Sequence, residues 1–405
     1  MIVDLETHWW GGGYKMPHIR PTRGGSSSST ANDVGTIDYN ASKPSFWQMA
    51  QFANVQYWNW KITHSQEMKE QIRVQWRYIR SVYSDQELSS ADKSVGIVNV
   101  SDDAAWELNY LMQVHEVLGD KQSLDDATIL LPNILNRFAD PYSPRVSYGH
   151  LQGSPYGILY ATKTDDPNHQ DRSSAYEIMI ADSALQMYQQ DHNSDYLDYA
   201  IGTYNWMKKY MRHSNPTFYY CELDLKPMAG GVQNSHYLKP IGSSHVRPER
   251  GRSYSYSGGT LAMAVAAARL YTITGQQEYL KEAQQIASDY VRPDCFGRPG
   301  NLLVNDRDAW TDGYWAPYFA TEVPVLPGLD VTDSWRMAIR CTAMSIIAQR
   351  TADGYYGADW SGPEHGTWLK QAAHGGMALP NQIMTSSDSA AMVTAAEIVQ
   401  LRSDQ

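Results

Sequence analysis

The stretch Asn99-Val100-Ser101-Asp102-Asp103-Ala104-Ala105-Trp106-Glu107-Leu108 places two adjacent carboxylates where an apolar helical pattern begins. Neighbouring side chains inside a helix do not face each other, but at a loop-to-helix junction both carboxyls can reach one cleft. Two carboxyls about 5–5.5 Å apart are what cleavage of a glycosidic bond with retention requires. One attacks the anomeric carbon; the other protonates the leaving oxygen and later deprotonates water. By their local pattern alone the same residues read first as an ordinary helix start, with Ser101 or Asp102 as N-cap and Asp103 favouring the dipole. Asp125-Asp126 reads the same way.

The other residues suited to chemistry are aromatic. The chain has 13 Trp and 28 Tyr against 6 Phe, a skew that suits rings at a wet, partly open surface, since buried Tyr and Trp need partners for their polar atoms. Trp106 lies one turn past the paired carboxylates. Tyr254 and Tyr256 open a helix, Tyr314 and Trp315 follow Thr311-Asp312-Gly313, and Trp360 follows Asp359. Such rings stack on the apolar faces of sugars, while Asp312 and Asp359 would accept hydrogen bonds from hydroxyls. Packing is the competing role for each.

Other chemistries lack their residues. Asp306-Arg307-Asp308 begins like a calcium loop, but Trp310 and Thr311 stand where an oxygen ligand and the glycine belong. The histidines show no HExxH or other metal spacing, and no Walker, GxSxG or GxGxxG motif occurs. No metal and no cofactor is therefore expected. Asn40-Ala41-Ser42 and Asn99-Val100-Ser101 match glycosylation sequons, a pattern common by chance.

Helices joined by long loops must position these residues. Apolar positions three and four apart predict helices over Phe46 to Ile62, Met68 to Val82, Ala104 to Leu118, Asp125 to Phe138 and Ala175 to Gln189. The pattern continues over Tyr196 to Met211, Gly259 to Ile273, Tyr279 to Val291, Ser334 to Arg350 and Ser386 to Leu401. One turn recurs: Gly119, His192 and Gly275 are each followed by Leu at the fifth residue and Ala at the eighth (Leu124 and Ala127, Leu197 and Ala200, Leu280 and Ala283). This predicts a left-handed cap, a short turn and a helix that packs back on its predecessor, three helical hairpins of one type. Their spacing is too long and irregular for a solenoid of about 34–47 residues per repeat. Long segments separate them, Gly11 to Pro44, Pro141 to Arg172, Asn215 to Ser257, Pro293 to Tyr314 and Ala352 to Ile383, and loops beyond about 12–15 residues are usually functional. The expectation is an all-α fold, a closed (α/α) barrel of hairpins with a loop-built cleft at one end, while length alone leaves one large domain or two to three open over 1–405. Residues 1–45 form an irregular N-terminal segment, a surface loop or a lid.

Composition narrows the partners. With 33 basic and 44 acidic residues the formal net charge is -11, which disfavours a nucleic acid. No apolar run approaches the roughly 18–20 residues of a membrane span. Cys221, Cys295 and Cys341 are too few and too scattered for a disulfide scaffold. Met1 to Trp10 lacks the pattern of a signal peptide, so the expected location is cytoplasmic as the sequence stands, or exported if a signal was removed.

Three motifs in order carry a family resemblance. Asp102-Asp103-Ala104-Ala105-Trp106, with the helix ending Val117-Leu118-Gly119-Asp120, resembles the Asp-Asp-x-Ala-Trp segment of glycoside hydrolase family 76, the endo-α-1,6-mannanases. Tyr254-Ser255-Tyr256-Ser257-Gly258-Gly259-Thr260-Leu261 resembles that family's Tyr-x-Tyr-Asn-Gln-Gly helix entrance. Gly354-Tyr355-Tyr356-Gly357-Ala358-Asp359-Trp360-Ser361-Gly362-Pro363 is similar to its late aromatic loop. The resemblance runs from about Phe46 to Leu401. It implies a single (α/α)6 barrel, retaining hydrolysis of α-mannosidic links without metal, Asp102 as nucleophile and Asp103 as acid/base. Asp102 must then stay ionised while Asp103 is raised by its neighbour's charge and partial burial. This chain departs from the family at Ser257-Gly258, where Asn-Gln is usual, and at Asp171-Arg172-Ser173-Ser174-Ala175, where a Lys-Asn segment is usual. Ser257 and Arg172 would line the cleft and alter which hydroxyls are read. The rival readings are a sugar epimerase or isomerase on a similar barrel, which needs paired histidines, and a glycan-binding protein without catalysis.

Overall fold

A computed structural model describes residues 46–91, 100–140, 143–159, 171–212, 219, 222–224, 256–290, 309–328, 333–348 and 392, 395 and 396. The chain divides into two compact units, one of Ser84–Tyr290 with Val325–Leu329, the other of Met1–Tyr83, Val291–Pro324 and Asp330–Gln405.

In the second of these, α1 (Phe46–Thr63) and α2 (Gln66–Val82) form a hairpin. His64 turns it with a φ of 47°, and its N–H donates to the Trp60 carbonyl at 2.8 Å. Ser65 caps α2 by accepting from the Met68 N–H. Met68, Ile72, Trp76 and Ile79, spaced three and four apart, make the buried face of α2. The same unit contains α10 (Ala309–Glu322) and α11 (Asp333–Ala348). Trp58 of α1 meets Tyr318 of α10 edge-on at 4.8 Å. The sequence pattern marked no helix here and put its first six residues, 309–314, in a loop; Gly313 and Pro317 argue locally against a helix. Burial of Tyr314, Trp315, Tyr318 and Phe319 on one element outweighs those two residues.

The other unit begins with the short α3 (Asp85–Ser89), closed by a reciprocal cap between Ser84 and Glu87. Three hairpins follow: α4 (Ser101–Leu118) with α5 (Lys121–Arg137), α6 (Ser174–Asp191) with α7 (Ser194–Tyr210), and α8 (Tyr256–Thr274) with α9 (Gln277–Tyr290). Each turns through a left-handed residue at the position the recurrent pattern marked: Gly119 (φ 66°), His192 (φ 56°) and Gly275 (φ 70°). His192 adopts a conformation that disfavours residues with a Cβ, held by its N–H bond to the Tyr188 carbonyl at 2.8 Å. The small residue eight places on is enclosed in all three, Ala127, Ala200 and Ala283, which lets the returning helix approach closely. At His64 the eighth residue is Ile72 and the fifth is Lys69, so the fourth hairpin turns the same way without the signature.

The described residues are mainly helical. Their one sheet is a pair of three-residue antiparallel strands, β1 (Asp171–Ser173) and β2 (Glu222–Asp224), with Arg172 opposite Leu223. Residues 143–159 form a looped excursion fastened to α7. Tyr156 Oη donates to Asp198 at 2.9 Å, Thr203 Oγ1 donates to the Tyr156 carbonyl at 2.8 Å, and His150 Nδ1 lies 2.6 Å from Asp195. Gly202 is required beneath the Tyr156 ring, where a Cβ would collide. No described helix is long and apolar enough to cross a membrane.

Candidate active site

Helix α4 begins at Ser101, and its N-cap is Val100, extended at φ -134° and ψ 167°, with no side chain closing the turn. The capping role offered by the sequence to Ser101 or Asp102 therefore falls away: both are already inside the helix. Asp102 and Asp103 occupy the first turn, where unpaired backbone N–H groups make the local field positive and favour carboxylates. Asp102 Oδ1 accepts from the Asp103 N–H at 2.8 Å, so the first carboxylate folds back over the start of the helix. Both side chains are half-buried, and Ala104 and Ala105 behind them are fully enclosed. Both carboxyls thus belong to the first turn of α4, followed by two small residues packed in the core.

Glu107 lies one turn below Asp103, on the same face. It is 0% exposed, and among the described residues neither of its carboxyl oxygens has a hydrogen-bond partner. Burial holds its carboxyl well above the ordinary range, and the nearby carboxyls of Asp103 and Asp126 push it further. Sequence pattern gave no role to this residue; its signal was a glutamate inside the apolar run from Ala104 to Leu111.

Arg172 takes a different place from the one its position in the sequence suggested. It sits on β1 with no exposed surface. Nε donates to Glu177 Oε1 at 2.8 Å, Nη2 donates to Glu177 Oε2, and Nη1 reaches Asp140 Oδ2 at 3.2 Å. The guanidinium lies over the Trp206 ring, 3.1 Å from its centroid. Gly157 passes close against it, where a Cβ would collide with the guanidinium. Burial pushes Glu177 up to about 7, opposed by Arg172 and by the Ile158 N–H at 3.2 Å. This closed cluster ties residues 140 and 157–158 to the start of α6, and it leaves the guanidinium no face for a sugar.

Trp106 is also enclosed, at 3% exposure, within the unit that holds Asp102 and Asp103. Tyr314 and Trp315 lie on α10 with no exposed surface, their rings edge-on at 4.7 Å. Tyr256 and Ser257 form the first turn of α8, and Asp312 lies in the first turn of α10. Tyr254, Asp359 and Trp360 lie outside the described residues, as do residues 1–45 and the late motif, 354–363. Among the described residues no three metal-ligating side chains converge.

The fold has clear counterparts. An α-1,6-mannanase of glycoside hydrolase family 76 from Salegentibacter sp. HEL1_6, an inactive variant with two consecutive aspartates replaced by alanine and bound to α-1,6-mannotetrose, superposes with a TM-score of 0.63. The two share 17% identity, and the match covers 87% of this chain and 89% of that one. A family 76 mannosidase from Bacteroides thetaiotaomicron VPI-5482 superposes with a TM-score of 0.60 at 16% identity, over 89% of this chain and 88% of that one. Dfg5 from Chaetomium thermophilum, in complex with glucosamine, gives 0.59 at 12% identity, over 99% and 88%. No family model matches the sequence, and no curated protein matches it. The chain has the fold of the family 76 glycoside hydrolases, the family its three motifs resemble.

Proposed function

We propose that this protein is a glycoside hydrolase that cleaves α-mannosidic links, the α-1,6 link first among them, with retention of configuration. The observation that carries the reading is the pair of half-buried carboxylates in the uncapped first turn of α4. A structural neighbour made inactive by replacing two consecutive aspartates supports it.

Asp102 attacks the anomeric carbon as the glycosidic C–O bond breaks, while Asp103 gives its proton to the departing oxygen. The products of this step are a glycosyl ester on Asp102 and a carboxylate on Asp103. Asp103 then takes a proton from water, whose oxygen attacks the anomeric carbon and releases Asp102. The Asp103 N–H bond to Asp102 Oδ1 favours the ionised nucleophile. Tyr254, Tyr256 and Ser257, of the same unit as the pair, are assigned to the sugar, and the enclosed Trp106, Arg172, Tyr314 and Trp315 to packing.

The test is time-resolved proton NMR with unbranched α-1,6-mannan oligosaccharides. Prompt α-anomeric products are expected. Prompt β-anomeric products would refute the double displacement, and an unchanged spectrum would refute the substrate. A product equal in mass to the substrate would identify an epimerase or isomerase.

A further inference from the structure

We propose that Glu107 is a positioning residue for Asp103: an uncharged carboxylic acid, one helical turn beneath it, that donates its O–H to the Asp103 carboxylate once that carboxylate forms. This rests on the roles given above to Asp102 and Asp103.

The geometry comes first. Residues four apart on a helix bring their Cβ atoms to about 5–6 Å, within reach of two carboxyl side chains. Glu107 has no exposed surface and, among the described residues, no partner on either oxygen. A buried carboxylate in that state would carry an uncompensated charge, so the group stays a neutral acid with one proton to donate. The titratable groups that bear on it are Asp103 on its own helix and Asp126 on α5, both acids. Asp126 is itself enclosed and accepts from Gln122 Nε2 at 3.0 Å.

The first chemical step redistributes charge. As Asp102 becomes an ester, its negative charge is lost; as Asp103 gives up its proton, one appears there. The charge moves one residue toward Glu107 in an enclosed setting, where a fixed donor is worth more than in water. A neutral acid that is silent toward protonated Asp103 but bonds to its carboxylate favours the ester state and the transition state before it.

Two variants separate this role from packing. Glu107→Gln keeps the shape and a donor; Glu107→Leu keeps the volume and loses the donor. Carbon-13 titration of the carboxyl groups, with Asp103 assigned through its loss in Asp103→Asn, reads the effect without substrate. The Asp103 pKa is expected to rise in Glu107→Leu, because its carboxylate loses a donor, and to change less in Glu107→Gln. A fall in both variants would show that Glu107 is ionised at rest, and no change in either would reduce it to packing; each outcome overturns the proposal. On hydrolysed substrate, Glu107→Leu should lose ~10-fold or more in kcat, and the alkaline limb of its kcat/KM profile should move to higher pH. If wild type cleaves no α-mannan, the proposed function fails, while the titration still decides what Glu107 does to Asp103.

Discussion

Replacing Arg172 with methionine distinguishes a core ion pair from a substrate contact. The substitution keeps much of the side-chain volume but leaves Asp140 and Glu177 without their guanidinium, in a place where neither has access to solvent. Breaking a buried pair by removing one partner costs about 3–5 kcal/mol. Loss of the guanidinium from the Trp206 ring adds up to about 2 kcal/mol. Glu177 can relieve part of the cost by taking up a proton, since burial already raises it to about 7 with Arg172 in place and losing Arg172 raises it further. The loss should therefore be larger above pH 7 than below it. Arg172→Lys keeps the charge but not the two-pronged contact, and should fall between. Urea denaturation followed by tryptophan fluorescence, at a pH on each side of 7, measures both effects. The double variant Arg172→Met with Glu177→Gln should recover part of the loss, since the carboxylate stranded in the single variant is gone. A loss under about 1 kcal/mol, together with a raised KM for mannan oligosaccharides, would refute the core assignment and return Arg172 to the sugar.

Asp102→Asn and Asp103→Asn should each remove most turnover and leave the melting temperature within a few degrees, because a first-turn carboxylate stabilises a helix by only about 0.3–1 kcal/mol; near wild-type turnover in either would void its assigned role. Gly157→Ala should destabilise by about 1–3 kcal/mol, read by the same denaturation assay, since its Cβ would meet the Arg172 guanidinium. Glu177 makes stability pH-dependent in an unusual direction. Its folded-state value is raised from 4.5 to about 7, so its contribution is complete below 4.5 and is lost as pH rises through 7; comparing the melting temperatures of wild type and Glu177→Gln across that window should show the difference. Glu282 runs the opposite way. Hydrogen bonds from Arg212, Tyr219 and Lys208 outweigh burial and lower it, so its contribution is present above the unfolded value and is lost as pH falls; Glu282→Gln should flatten that acid limb.

Most helices could be read from the sequence because their apolar residues recur with the helical period. The three hairpin turns at Gly119, His192 and Gly275 were legible for a sharper reason. A left-handed cap followed by a small residue at a fixed offset is a local requirement of tight return packing, and it leaves its mark on residue type. The His64 turn has the same backbone conformation, but Ile72 takes the place of the small residue and so hides it. Helix α10 was not legible, since Gly313 and Pro317 argue locally against a helix that the burial of its rings sustains. The paired carboxylates were visible as a pair, but their relation to the helix was not. Whether Val100, Ser101 or Asp102 caps α4 depends on backbone angles that the residue types leave open.

Residue type, period and spacing determined the helical class and the hairpin repeat, because each is a local property of the chain, and three motifs read together singled out Asp102 and Asp103. Tertiary structure decided which polar groups face inward. Arg172, Asp140, Glu177 and Trp206 come from separate segments and meet in one enclosed cluster. Tyr314 and Trp315, aromatics of the kind that line sugar clefts, are core. Glu107, one acid among 44 acidic residues, stands out only once its burial and missing partners are known. Burial is set by segments distant in sequence, and it governs whether a charge is paired, neutralised or left to solvent.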